Sequence, residues 1–87
     1  MECDWTIPNR LGLHARPAAF FVQVTGRFQS HVKVIKDNLE VNGKSVMGLL
    51  MLAAEHGSQI RIQISGPDEQ EACQALKKLF EKNFGED

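Results

Sequence analysis

His14 is the residue of this chain best placed to do chemistry, because of its neighbours in Asn9-Arg10-Leu11-Gly12-Leu13-His14-Ala15-Arg16-Pro17-Ala18-Ala19. Gly12 supplies a flexible turn, and the apolar run that begins at Ala18 reads as a helix. Pro17 suits the first turn of that helix, where backbone N–H groups have no intrahelical acceptor and a missing donor is no loss. The helix therefore starts near His14. The N–H groups of Ala15 and Arg16, with the positive end of the helix dipole, would surround the imidazole as an anion site. Arg16 adds a guanidinium whose planar fork matches phosphate oxygens, and Arg10 offers a second, weaker positive group. An imidazole titrates near neutrality, so its unprotonated nitrogen can act as a nucleophile in water. A lone histidine at a helix start is also a common incidental cap. With phosphate-matching donors on the same turn, the arrangement points to a phosphohistidine.

The elements that must hold this segment follow from hydrophobic spacing. Cys3, Trp5 and Ile7 alternate with Asp4 and Thr6, as in a half-buried strand over 3–7 that Pro8-Asn9 ends. Ala18, Phe21, Val22, Thr25 and Phe28 fall at helical spacing and predict a core-facing stripe, with Gly26 as the stop and Arg27 near the negative end. Phe20 lies off that stripe, towards solvent, where it reads either as a scattered surface aromatic or as a partner contact beside His14. Two short strands over 31–35 and 39–41 form a hairpin about Asp37-Asn38. Asn42-Gly43 turns the chain again.

Ser45 then precedes an apolar run over 46–54 in which Leu49, Leu52 and Ala53 share one side of a helix, leaving Val46, Met47 and Leu50 partly uncovered. Exposed methionine and aliphatic side chains grouped in this way mark a contact surface, the alternative being a small domain that buries the whole helix. Gly57 after His56 reads as the C-terminal cap. Ile60, Ile62 and Ile64 alternate with Arg61 and Gln63 in the clearest strand of the chain. Gly66-Pro67-Asp68 breaks it and starts a last helix, acidic at Asp68, Glu69 and Glu71, basic at Lys77, Lys78 and Lys82, and apolar at Ala72, Leu76, Leu79, Phe80 and Phe84. The order β-α-β-β-α-β-α predicts an α+β open-faced sandwich. A four-stranded antiparallel sheet is covered on one face by three helices, since a sheet this small needs them over its apolar side.

Composition sets the outer bounds. With 87 residues the chain has room for one modest core, so residues 1–87 are read as a single domain. The hydrophobic content of 43% and charged content of 24% are those of an ordinary globular protein. A formal net charge of −1, with no row of exposed aromatics on the strands, argues against nucleic acid or an anionic membrane as partner. The first 45 residues nevertheless carry six Lys/Arg against four Asp/Glu, so the mild positive bias lies with His14. Cys3 and Cys73 have neither metal-ligand spacing nor a disulfide-framework pattern, and read as buried or half-buried free thiols of a reducing cytosol. His14, His31 and His56 are too scattered for a metal site, and no cofactor is implied. No charged-then-apolar leader and no apolar run near 18 residues occurs, so a cytoplasmic protein without membrane insertion is expected.

Two blocks now bear on identity together. Gly12-Leu13-His14-Ala15-Arg16-Pro17-Ala18-Ala19 is similar to the active-site signature of the HPr family, the histidine-containing phosphocarriers of the bacterial phosphoenolpyruvate-dependent phosphotransferase system. Asn42-Gly43-Lys44-Ser45-Val46-Met47-Gly48-Leu49-Leu50-Met51-Leu52 resembles the regulatory-serine region of the same family at the expected separation. The resemblance covers about Trp5 to Phe84 and implies the same open-faced sandwich. It implies that His14, at Nδ1, accepts a phosphoryl group from enzyme I and passes it to an enzyme IIA-type domain, so that the chain is a carrier turned over by partner enzymes rather than an enzyme itself. Arg16 and the backbone at Ala15 would stabilise the phosphoryl group, with Arg10 in support.

Docking must be transient, and Phe20, Val46, Met47 and Leu50 are the expected contact patch on a monomer. Ser45 is by its type an N-cap, and by resemblance a candidate target of an HPr kinase/phosphorylase. The segment over 9–13 and the tail Gly85-Glu86-Asp87 also resemble the nitrogen-related phosphocarriers, whereas the Ser45 block resembles the sugar-type members. A regulatory binding module of the same fold would lack the histidine, which is present here.

Overall fold

The computed structural model describes residues 1–85. Along the chain these form β1 (Glu2–Thr6), α1 (Ala15–Thr25), β2 (His31–Lys36), β3 (Leu39–Asn42), α2 (Val46–Met51), β4 (Gln59–Ser65) and α3 (Glu69–Glu81), followed by a single 3₁₀ turn at Asn83–Gly85. The expected tail Gly85-Glu86-Asp87 lies outside the described residues beyond Gly85. The strands form one sheet in the order β1-β4-β2-β3, every neighbouring pair antiparallel.

Alternation decides which face is covered. Pairing of Trp5 with Ile60, Cys3 with Ile62, Val34 with Ile62 and Val32 with Ile64 puts the apolar side chains of three strands on one face. There they meet Ala18 and Phe21 of α1, Leu49 of α2, and Ala72, Leu76 and Phe80 of α3, all buried. Phe80 is the aromatic hub, with ring centroids 4.9 Å from Trp5, 6.4 Å from Phe21 and 4.8 Å from Phe84. The other face is polar, and Arg61 reaches Asp4 across the strands at 3.0 Å. Such exposed pairs add little stability.

Several boundaries differ from the sequence reading, each for a tertiary reason. The buried residues of α1 are Pro17, Ala18, Phe21, Val24 and Thr25, so Val24 rather than Val22 completes the stripe. Phe28 lies past the helix end and is only half-buried. Thr25 is drawn inwards because its Oγ1 donates to the Gly43 carbonyl at 2.9 Å, tying the end of α1 to the turn before α2.

Helix α2 ends at Met51 rather than at residue 54. Its last turn tightens through Leu52 N–H to the Leu49 carbonyl and Ala53 N–H to the Leu50 carbonyl, and Ala53 then takes a left-handed φ of 50°. Ala53, expected in the core, is exposed, and Ala54 is buried in its place. Gly57 does not cap this helix. Its N–H donates to the carbonyl of Ile7 at 2.9 Å, anchoring the loop to the end of the first strand.

Asp68 is also not an ordinary dipole partner. It stands at the N-cap of α3 without a side-chain cap bond; its carboxylate instead accepts from Gln29 N–H, Ser30 N–H and the Ser30 hydroxyl. These bonds clamp α3 to the loop that leads into β2, and the Ser30 hydroxyl first, then the Gln29 amide, hold the carboxyl below its ordinary range.

Candidate functional site

The turn before α1 is built by backbone contacts that its sequence only partly announces. Asn9 is buried, and its side-chain amide donates to the Gly12 carbonyl, closing the loop on itself. Gly12 has φ +75°, and a Cβ there would stand 2.5 Å from the Ala54 carbonyl oxygen and 2.9 Å from Glu55 Cα. Only glycine fits that backbone at that distance. The next residue, Leu13, buries its side chain and donates its N–H to the same Ala54 carbonyl at 2.8 Å. The loop that delivers His14 thus rests on the chain leaving α2.

His14 follows as the N-cap of α1, with extended backbone (φ −85°, ψ −170°) and no side-chain cap hydrogen bond. Its carbonyl accepts the first helical bond from Ala18 N–H at 3.0 Å. The imidazole is therefore carried on a rigid junction, half-exposed, without being used up as a cap. Ala15 and Arg16 are exposed on the first turn, where N–H groups have no intrahelical acceptor, and buried Pro17 packs that turn onto the core. Arg10 is exposed on the preceding loop. Arg10 precedes His14 on the loop and Arg16 follows it on the first turn, where backbone donors and the positive end of the helix dipole favour an anion. Ala15 and Arg16 leave this surface open to solvent, with the imidazole half-exposed beside them.

The expected contact patch divides on inspection. Met47 is 70% exposed, while Val46 and Leu50 are half-buried against the core and Phe20 is half-buried rather than facing solvent. Two apolar residues outside the expected patch are as exposed as Met47: Met51 at 66% and Leu11 at 76%. Met51 was legible in principle, since it stands four residues after Met47 and shares its helical face. Leu11 gave no periodic signal, because it sits in a turn.

Ser45 is the N-cap of α2. Its Oγ accepts from Gly48 N–H at 3.1 Å, and Gly48 lies close against Val41 and Asn42, where a Cβ would come within 3.3 Å of both. Ser45 and the His14 loop therefore lie at opposite ends of α2, roughly 10 Å apart along its axis, with Met47 and Met51 between them. No group of three or more metal-ligating side chains occurs among the described residues, and no helix among them is long and apolar enough to cross a membrane.

Comparison with known proteins agrees with this geometry. The family described as PTS-HPr, PTS HPr component phosphorylation site, matches residues 1–82. The phosphocarrier protein HPr of Xylella fastidiosa is 48% identical over 87 residues, covering 100% of this chain and 98% of the relative. The phosphocarrier protein NPr of Proteus mirabilis is 46% identical over 82 residues, with 93% and 91% covered. Among solved structures, the HPr-C-His protein of Thermoanaerobacter tengcongensis superposes with a TM-score of 0.95 at 46% identity, over 100% of this chain and 98% of that one. An HPr dimer from the same organism superposes at 0.80 with 48% identity and 94% of each chain covered. A small open-faced sandwich with a half-exposed histidine at a helix start is the architecture of the phosphoryl carriers it matches. The chain belongs to the HPr family of phosphocarriers of the phosphotransferase system.

Proposed function

We propose that residues 1–87 act as one carrier domain in which His14 takes a phosphoryl group from phospho-enzyme I and hands it to an enzyme IIA-type domain. The observation that carries this reading is His14 itself, fixed as the N-cap of α1 and half-exposed. A ring nitrogen attacks phosphorus as the donor's P–N bond breaks, so that one P–N bond replaces another and no co-reactant is consumed. Arg16 and the first-turn N–H groups of Ala15 and Arg16 offset the charge on the transferring oxygens, and Arg10 supports them from the loop. None of these groups buries the phosphoryl group, which keeps it available to the next acceptor.

Partner enzymes dock on an apolar strip that includes Met47, Val46, Leu50 and Phe20, extended by Met51 and Leu11. A strip of this size suits short-lived complexes. Phosphorylation of Ser45 by an HPr kinase/phosphorylase would put about −1.5 to −2 charges at the far end of that strip, opposing docking without touching the chemistry at His14. The carrier is a cytoplasmic monomer in this reading, and its work is sugar uptake. The nitrogen-related branch is the second reading, supported by Asn9-Arg10-Leu11-Gly12-Leu13, by the sequence of the tail Gly85-Glu86-Asp87 and by the likeness to NPr.

Incubation with phosphoenolpyruvate and purified enzyme I, followed by intact mass before and after mild acid, tests the carrier reading. An acid-labile phosphate adduct on the wild type and none on His14→Ala is expected. An adduct that survives in His14→Ala, or none on the wild type with a cognate enzyme I, overturns it.

A further inference from the structure

Cys3 and Cys73 are seventy residues apart in sequence, yet their Sγ atoms stand 2.9 Å from each other, between β1 and α3. Neither is used by the phosphoryl site. Cys3 faces the helical layer with Trp5, two residues on along the same side of β1, and Trp5 stacks on Phe80 of α3, which fixes strand against helix in this register. The N-terminal ammonium adds a second lock at the same end, donating to the Ile64 carbonyl and pairing with Glu69 of α3 at 3.2 Å. Both thiols are half-buried, so a small reagent has access. A disulfide needs an S–S distance of about 2.05 Å, an approach of roughly 0.9 Å from where the sulfurs already lie.

We propose that Cys3 and Cys73 form a reversible intramolecular disulfide, made by exchange with a low-molecular-weight disulfide and opened by a dithiol reductant. One cysteine thiolate attacks a sulfur of the small disulfide, forming a mixed disulfide and releasing one small thiolate. The second cysteine thiolate then attacks the protein sulfur of that mixed disulfide and releases the other. Two protein thiols lose two electrons and two protons, and the small disulfide becomes two thiols.

Cys73 takes the first step. Burial, and then the hydrogen bond and negative charge of Cys73, push the Cys3 thiol up to about 11, so Cys3 keeps its proton beside a Cys73 thiolate. Once Cys73 is held in the mixed disulfide its negative charge is gone, and with it that part of what opposes ionisation of Cys3 for the second attack. The bond would join the first strand to the last helix and close a loop of most of the chain, and longer loops restrict the unfolded state more. Cys3 lies at the opposite end of β1 from the His14 loop, so oxidation should raise stability without changing phosphoryl acceptance.

Reduced native protein incubated with glutathione disulfide, then blocked with iodoacetamide, is expected to lose two hydrogens in intact mass. It should yield a Cys3–Cys73 linked peptide and melt at least about 10 °C higher, with dithiothreitol reversing all three. Cys3→Ser should instead hold a stable glutathione adduct on Cys73 and show no rise in melting temperature. Two glutathione adducts per chain, a disulfide-linked dimer, or no reaction in the native protein while the urea-unfolded chain reacts, would each overturn the proposal. So would an oxidised monomer whose melting temperature is unchanged.

Discussion

Replacing Gly12 by alanine tests how the fold holds His14 in place. Two terms add at this position. The first is the left-handed backbone, φ +75°, which costs a residue with a Cβ about 1–2 kcal/mol. The second is contact: the new Cβ would stand 2.5 Å from the Ala54 carbonyl oxygen, so the loop must lift by several tenths of an ångström or more. Lifting it lengthens the Leu13 N–H bond to the same carbonyl, now 2.8 Å. Together these should cost about 2–4 kcal/mol, or roughly 10–20 °C in melting temperature for a domain of this size.

Gly57 is the control, because it has φ +84° but no atom within 4 Å of its Cβ position. Gly57→Ala should show the backbone term alone, about 1–2 kcal/mol. Urea titrations followed by circular dichroism give both values. The same displacement should slow phosphorylation by enzyme I in Gly12→Ala, by up to about 10²-fold if the imidazole moves by 1 Å, and leave Gly57→Ala at the wild-type rate. Equal stabilities for the two variants within about 0.5 kcal/mol, with equal phosphorylation rates, would refute the view that close packing against Ala54 positions the histidine.

Other outcomes follow from the same geometry. Met47→Asp should leave the thermal melt unchanged and raise the KM of enzyme I for this carrier, since Met47 is exposed and supports no core contact; unchanged steady-state kinetics would remove the α2 strip from the docking account. Ser45→Ala deletes the only side-chain cap of a six-residue helix and should destabilise by about 1 kcal/mol, read by urea titration, whereas Ser45→Asp keeps a capping oxygen and should weaken docking alone. Asp68 has a folded-state pKa below its unfolded one, so it stabilises the protein above the unfolded value, and that contribution drains away as pH falls through the depressed folded value. Stability measured across the acid range should therefore fall more steeply with decreasing pH in the wild type than in Asp68→Asn; parallel curves would dismiss the clamp to Gln29 and Ser30.

Much of this protein could be read from its residues because the signals are local. Alternation at Ile60, Ile62 and Ile64 makes a strand whatever surrounds it, and Gly12, His14 and Pro17 mark a turn entering a helix through the backbone conformations those residue types allow or forbid. The two motif blocks then gave the family, and with it the expected roles of His14, Arg16 and Ser45. What could not be read depends on atoms distant in sequence. Helix α2 stops at Met51 because Ala54 must offer its carbonyl to Leu13, and Val24 displaces Val22 from the core because the side of α1 that faces the sheet is set by the whole layer.

Gly57 serves Ile7 rather than the helix before it, and Asp68 serves the loop at Ser30 rather than its own helix end, choices that depend on which partner the fold brings within hydrogen-bond reach. The meeting of Cys3 with Cys73 is the extreme case. Nothing in the spacing of two cysteines seventy residues apart distinguishes a pair from two strangers; only the packing of the last helix over the first strand decides it.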